Sequence, residues 1–188
     1  GVVKRENVSE ILKKLEQNDR KILRNMGIKF GRYHIFLYKL FKPTPVSLRI
    51  CLWKNFHQNY FDLKPPTFGL NFIEEKNFSN NSFMLLCGFE KFGNFYVRID
   101  ILERLFMNII SLSSNENKEI KLVPEMLNLL GCSKSNFLKL IKFMNYNYFE
   151  KEKEIYFKYL PKKIKKSKPY VKNEKNNPFN ILNQINFK

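Results

Sequence analysis

Two glycines in the string Gly88-Phe89-Glu90-Lys91-Phe92-Gly93-Asn94 stand at the spacing of a nucleotide phosphate loop. Such a loop needs a lysine on the phosphates and, next to it, a hydroxyl on magnesium. Asn94 and Phe95 stand in those two places, so the string lacks both groups. The sequence contains no dinucleotide-binding GxGxxG, no HExxH and no GxSxG. Glu74, Glu75 and Glu103 are isolated carboxylates along the chain, and His34 and His57 have no Cys or His at metal-ligand spacing. Cys51, Cys87 and Cys132 are an odd, widely spread set in apolar surroundings. That distribution argues against a disulfide framework and for a reducing compartment, so a cytoplasmic location is expected. No catalytic residue, metal site or cofactor is assigned to these residues.

The basic residues are more informative. Lys and Arg number 34 against 17 Asp and Glu, a net charge of +17, which points to a polyanionic partner. The charge is clustered. Between Gly27 and Phe61 there is no acidic residue. Lys29, Arg32, Lys39, Lys42, Arg49 and Lys54 lie there among Phe30, Tyr33, Tyr38, Phe41 and Trp53. Cations neutralise phosphates and aromatic faces stack on unpaired bases, so Lys29, Arg32, Lys39, Lys42 and Arg49 are candidate contacts to nucleic acid. Trp53 reads instead as a core residue. Arg98 is a further candidate. Helical spacing puts Ser135, Lys139 and Lys142 on one face, beside Lys134, with Phe137, Ile141 and Met144 on another. Lys162, Lys163, Lys165 and Lys166 open a terminal stretch with eight Lys and one Glu after residue 160. That stretch is expected to be a flexible basic tail.

These side chains must be placed by a mainly helical α+β fold. Apolar periodicity predicts an amphipathic helix over 7–26, capped by Asn7 or Ser9 and ended by Gly27. Residues 28–37 read as extended. Thr44-Pro45 opens a helix to about residue 56, with Thr44 as its cap and apolar residues nearly all round, so it is expected to be buried. Residues 89–99 read as a hairpin around Gly93-Asn94. Asp100 and Glu103 read as a capping box for the helix that follows. Pro124, Gly131 and Ser133 mark two helices about a tight turn, followed by a hairpin at 146–160. That is a helix-turn-helix of winged-helix type; an αα-hairpin packed beside a β-hairpin is the alternative. Three parts are expected: a helical basic segment at 1–75, a hairpin with the winged-helix-like unit at 76–160, and the tail at 161–188. No internal repeat is apparent. No apolar run approaches the roughly 18 residues of a membrane span, and no membrane partner is expected.

Several strings resemble blocks found C-terminal to the motor domains in bacterial superfamily-two, DExH-type helicases related to the mitochondrial degradosome RNA helicase. They are Gly27-Ile28-Lys29-Phe30-Gly31, then Phe36-Leu37, Lys42-Pro43, Leu48-Arg49 and Leu52-Trp53. Further on come Val97-Arg98-Ile99-Asp100-Ile101-Leu102-Glu103-Arg104-Leu105, Leu130-Gly131-Cys132-Ser133 and Pro178-Phe179-Asn180-Ile181-Leu182. Their order matches over most of the chain, although Tyr38 stands where the family has proline. The resemblance implies an accessory region that holds RNA or DNA beside a helicase motor, with ATP and magnesium needed only by the intact enzyme. The ATPase half is absent from these residues, which reads as a separated C-terminal piece. Two other readings stay open: a free-standing winged-helix regulator of duplex DNA, and a protein-docking module.

Overall fold

The computed structural model describes residues 1–58, 62–74, 80–113 and 119–160. The fold is α+β, with more residues in helices than in strands, and its sheets are small and antiparallel. The expected tail, including Lys162, Lys163, Lys165 and Lys166, lies outside the described residues.

One plan recurs three times. In the first unit, strand β1 (Val2–Lys4) is followed by helices α1 (Ser9–Lys14) and α2 (Gln17–Asn25). The hairpin β2 (Ile28–Phe30) and β3 (His34–Leu37) comes next. Helix α3 (Pro43–Phe56) leads to the second unit, which comprises β4 (Phe72–Glu74), α4 (Asn81–Leu86), β5 (Phe89–Phe92) and β6 (Phe95–Arg98). Helix α5 (Ile99–Leu112) leads to the third. That unit comprises β7 (Ile120–Lys121), α6 (Pro124–Leu130), α7 (Lys134–Phe143), β8 (Tyr146–Lys151) and β9 (Glu154–Tyr159). The strand orders are β1-β3-β2, β4-β6-β5 and β7-β9-β8. In every unit the last strand is central and the helices lie between the first strand and the hairpin. β4 precedes residue 75 and pairs with β6, so strand pairing crosses the expected boundary at 75/76.

The second sheet is buried on both faces. Phe89 and Tyr96 join Val46, Ile50, Phe83 and Met84 in one core. Phe92, Phe95 and Val97 face the larger core built by α5, α6, α7, β8 and β9. Alternation along β6 sends Phe95 and Val97 one way and Tyr96 the other. The two glycines of the phosphate-loop spacing serve the backbone: Gly88 leaves α4 at φ 91° and Gly93 makes the β5–β6 turn at φ 59°.

Three local expectations are corrected. The helix expected over 7–26 is broken. Leu15 is extended, and Glu16 caps α2 through a reciprocal box with Asp19, a cap that competes with continuing α1. α3 begins at Pro43 with Lys42 as its cap residue, so the Thr44 side chain makes no cap; proline suits the first turn, where its missing N–H costs nothing. α3 is also less buried than expected. Val46 and Ile50 face the core and Trp53 is half-buried against Phe83, while Leu48, Leu52 and Phe56 lie outside. By contrast, Gly131 ends α6 in the left-handed conformation and the Ser133 hydroxyl accepts the Asn136 amide, as the sequence implies.

The orientation of α3 is checked by two truncations. Ile50→Ala should cost about 2–5 kcal/mol. Leu52→Ala should stay within about 0.5 kcal/mol, because that side chain is 61 % exposed. Urea unfolding of both variants measures the difference; equal losses would place α3 the other way round.

Candidate nucleic-acid interface

A buried charge cluster fixes the basic surfaces. The turn between β2 and β3 directs the backbone N–H groups of Arg32, Tyr33 and His34 at one carboxylate, Glu103 on α5. The Tyr33 and His34 amides donate at 2.9 and 2.7 Å. Gly31 lies against the same carboxylate, and a Cβ there would collide with it. The His34 ring lies between two acids, with Nδ1 2.9 Å from Glu103 and Nε2 2.6 Å from Glu90 on β5. The second contact is an ion pair whose N–H is not well aligned on the oxygen. Lys4 on β1 completes the chain at 2.8 Å from Glu90.

Burial alone would lower the His34 imidazole, but Glu103 and Glu90 outweigh it and raise the group to about 9. His34 is therefore an imidazolium at neutral pH. Burial would raise Glu90, yet His34 and Lys4 hold its carboxyl below the usual range. The expected capping box of Asp100 and Glu103 does not form. Arg98 is the cap residue of α5, Asp100 is engaged by the Arg98 guanidinium, and Glu103 turns inward. Glu103 is isolated along the chain only, because its partners lie some 70 residues away in sequence.

A groove lies beside the cluster between α2, β2 and α5, with Gly31 and Glu103 in its lining. Its cavity, about 630 Å³, is lined by Arg24, Lys29, Arg98 and Arg104, with Phe30 and Tyr38 among them and the carboxylates of Asp100 and Glu103 on the α5 side. Two of the sequence candidates, Lys29 and Arg98, therefore come together; Arg98 shares its charge with Asp100. Arg24 and Arg104 escape sequence reasoning, since neither lies in the acid-free window. Arg24 sits over the Phe30 ring at 5.7 Å.

The other candidates lie elsewhere. Arg32 stacks over Tyr159 at 5.0 Å and lines a second cavity with Lys4 and Arg5. Arg49 is half-buried and donates to the Leu40 carbonyl. Lys39 and Lys42 are exposed near the start of α3. Lys134, Ser135, Lys139 and Lys142 form the exposed side of α7, whose opposite side buries Phe137, Leu140 and Ile141. Lys142 sits over the Tyr148 ring of β8 at 4.7 Å. Of the aromatics in the acid-free window, Tyr33 packs edge-on to Phe106 and Phe41 packs on Phe36.

Among the described residues no group of three His, Cys, Asp or Glu is placed to hold a metal ion. Burial pushes the Cys87 thiol up to about 12 and the Cys132 thiol to about 11, away from the thiolate a nucleophile needs. No described helix is long and apolar enough to cross a membrane. No family model matches the chain, and neither does any curated protein or solved structure.

The cluster sets a pH dependence. The His34 group is raised, so its stabilisation is complete below its ordinary value of 6.5 and is lost as pH climbs through about 9. Glu90 is depressed, so its contribution is complete above its ordinary 4.5 and is lost as pH falls. Urea unfolding across this range should show both limbs, and His34→Gln should flatten the alkaline one. Glu103→Gln should destabilise the fold, because it leaves the buried His34 charge with Glu90 as its remaining acidic partner and weakens the three amide hydrogen bonds. An alkaline limb unchanged by His34→Gln would remove His34 from this role.

Proposed function

We propose that this chain is a nucleic-acid-binding accessory region of an ATP-dependent RNA or DNA helicase and acts beside the motor domains. The observation that carries the reading is the third unit with its leading helix. The order α5-β7-α6-α7-β8-β9, with sheet order β7-β9-β8, supports reading this unit as a winged helix, a fold that presents its second turn helix to nucleic acid. α7 is that helix, and its outer side carries Lys134, Ser135, Lys139 and Lys142.

The helicase part of the reading is supported by the resemblance. Two of its strings, Gly27 to Gly31 and Val97 to Leu105, meet in space where Gly31 lies against Glu103. Residues far apart in sequence thus form one packed contact, which is reason for both strings to occur together. The catalytic power in this reading belongs to the motor. This region contributes phosphate-binding cations and a firm scaffold, and it neither binds nor hydrolyses ATP.

The exposed stripe Leu48, Leu52 and Phe56 on α3 favours protein docking as a second role. In a helicase the motor domains are the natural occupant. A free-standing winged-helix regulator remains the rival, and sequence selectivity separates the two.

Anisotropy titrations with RNA and DNA, single- and double-stranded, over a range of salt test the reading. Binding should be weakly selective and strongly salt-dependent. Replacing Lys139 and Lys142 by Glu should lower the salt slope by roughly 0.7–0.9 for each phosphate no longer neutralised, and should weaken all sequences alike. Loss of affinity for one duplex sequence alone would favour the regulator. No binding at any salt would overturn the proposal. A reading frame without ATPase motifs upstream would overturn its helicase part.

A further inference from the structure

The recurring plan allows the three units to be aligned on one backbone position. The helix before each hairpin ends two residues ahead of a residue at positive φ, and the hairpin starts just after it. That residue is Gly27 at 96° in the first unit, Gly88 at 91° in the second and Asn145 at 63° in the third. Asparagine is the non-glycine residue best suited to that conformation. Counted from this position, α2 and α7 share two cationic positions, although Asp19 and Arg20 of α2 align with Phe137 and Leu138 of α7. Three residues before it stand Arg24 and Lys142, and six before it stand Lys21 and Lys139. All four side chains are exposed.

The coincidence extends to the hairpin. Three residues after the left-handed position stand Phe30 in the first unit and Tyr148 in the third. Arg24 lies over the Phe30 ring and Lys142 over the Tyr148 ring, at 5.7 and 4.7 Å. A cation at the same position therefore rests on an aromatic at the same position in both units. The second unit departs at every one of these places. Ser82 and Leu85 replace the cations and Lys91 replaces the aromatic, while both faces of its sheet are core.

We infer that the chain holds one nucleic-acid strand at two equivalent sites, α2–β2 and α7–β8, with the second unit as the spacer between them. This rests on the nucleic-acid reading above and adds its stoichiometry. A cation lying on a ring is held in place by the ring quadrupole, so less side-chain freedom is lost when a phosphate arrives. Lys29 and Arg104 line the groove beside Arg24 and extend the first site. The ligand is the phosphate backbone of a flexible strand, which can follow two patches on one body. Two linked sites bind a spanning strand far more tightly than either alone.

The test counts ligands. Short homopyrimidine oligonucleotides of about six nucleotides, as RNA and as DNA, are titrated into the full chain by calorimetry. Two should bind per wild-type chain. Lys21→Gln with Arg24→Gln should leave one, Lys139→Gln with Lys142→Gln should leave one, and all four together should leave none. A long oligonucleotide should lose roughly 100-fold in affinity with either pair. Arg24→Lys keeps the charge and should restore the first site. Unchanged melting temperatures are expected because all four side chains are exposed. One ligand per wild-type chain, or two ligands with either pair silent, overturns the two-site inference and leaves the nucleic-acid reading intact. No binding of either oligonucleotide overturns both.

Discussion

A single carboxylate, Glu103, carries the organisation of this molecule. It takes three backbone N–H groups from one turn and shares His34 with Glu90. Through it the hairpin of the first unit, the edge strand β5 of the second and the leading helix of the third are tied at one point. The first unit needs this tie. α1 and α2 contain no fully buried residue, and Ile11, Ile22 and Met26 are largely outside. A small domain with so little core is held weakly by apolar burial alone. The charge cluster supplies what the core lacks, and it does so with direction. An apolar contact tolerates sliding, whereas three converging amides accept a carboxylate in one place.

The cost of that arrangement explains its composition. A buried carboxylate loses its hydration and must be compensated by hydrogen bonds and opposite charge. Here the compensation alternates from Lys4 to Glu90, His34 and Glu103, so no two like charges are neighbours along the chain of contacts. Gly31 has its place for the same reason, since any side chain there would displace the carboxylate. The glycine thus makes room for an acid that follows it by 72 residues, counting from 31 to 103.

Much of the fold is legible in the sequence where the signal is local. Gly131 and Ser133 end one helix and start the next through backbone conformation and one side-chain hydrogen bond. Gly93-Asn94 turns the hairpin for the same kind of reason. What stays hidden depends on distance. α3 has apolar residues nearly all round, so no periodicity says which stripe meets Phe83 and Met84, the partners of Val46 and Ile50. Glu103 looks like half of a capping box because its spacing from Asp100 is right, while its real partners come from another unit. Of the site, the basic window and α7 are legible as charge. The meeting of Arg24 with Phe30 is not, since it needs α2 folded onto β2. The internal repeat is hidden because the second unit keeps the backbone plan and discards the side chains that would reveal it.

Many of the described acids share a habit that sharpens the surface field. Glu16 and Asp19 cap α2, Glu74 accepts from Asn136, Asp100 pairs with Arg98, Glu154 pairs with Lys121, and Glu90 and Glu103 are inside. Each of these carboxylates is held by a fixed internal partner. Lys21, Lys29, Lys134, Lys139 and Lys142 are exposed, and no ion pair ties down these five lysines among the described residues. A net excess of cations would attract polyanions even if the acids were scattered among them. With these acids tied into caps, ion pairs and the buried cluster, the exposed lysines of α2, β2 and α7 are left as unneutralised parts of that excess. The chemistry that ties the units together and the charge left on the surface are therefore linked: the acids engaged in caps, ion pairs and the buried cluster leave these lysines exposed and unpaired by them.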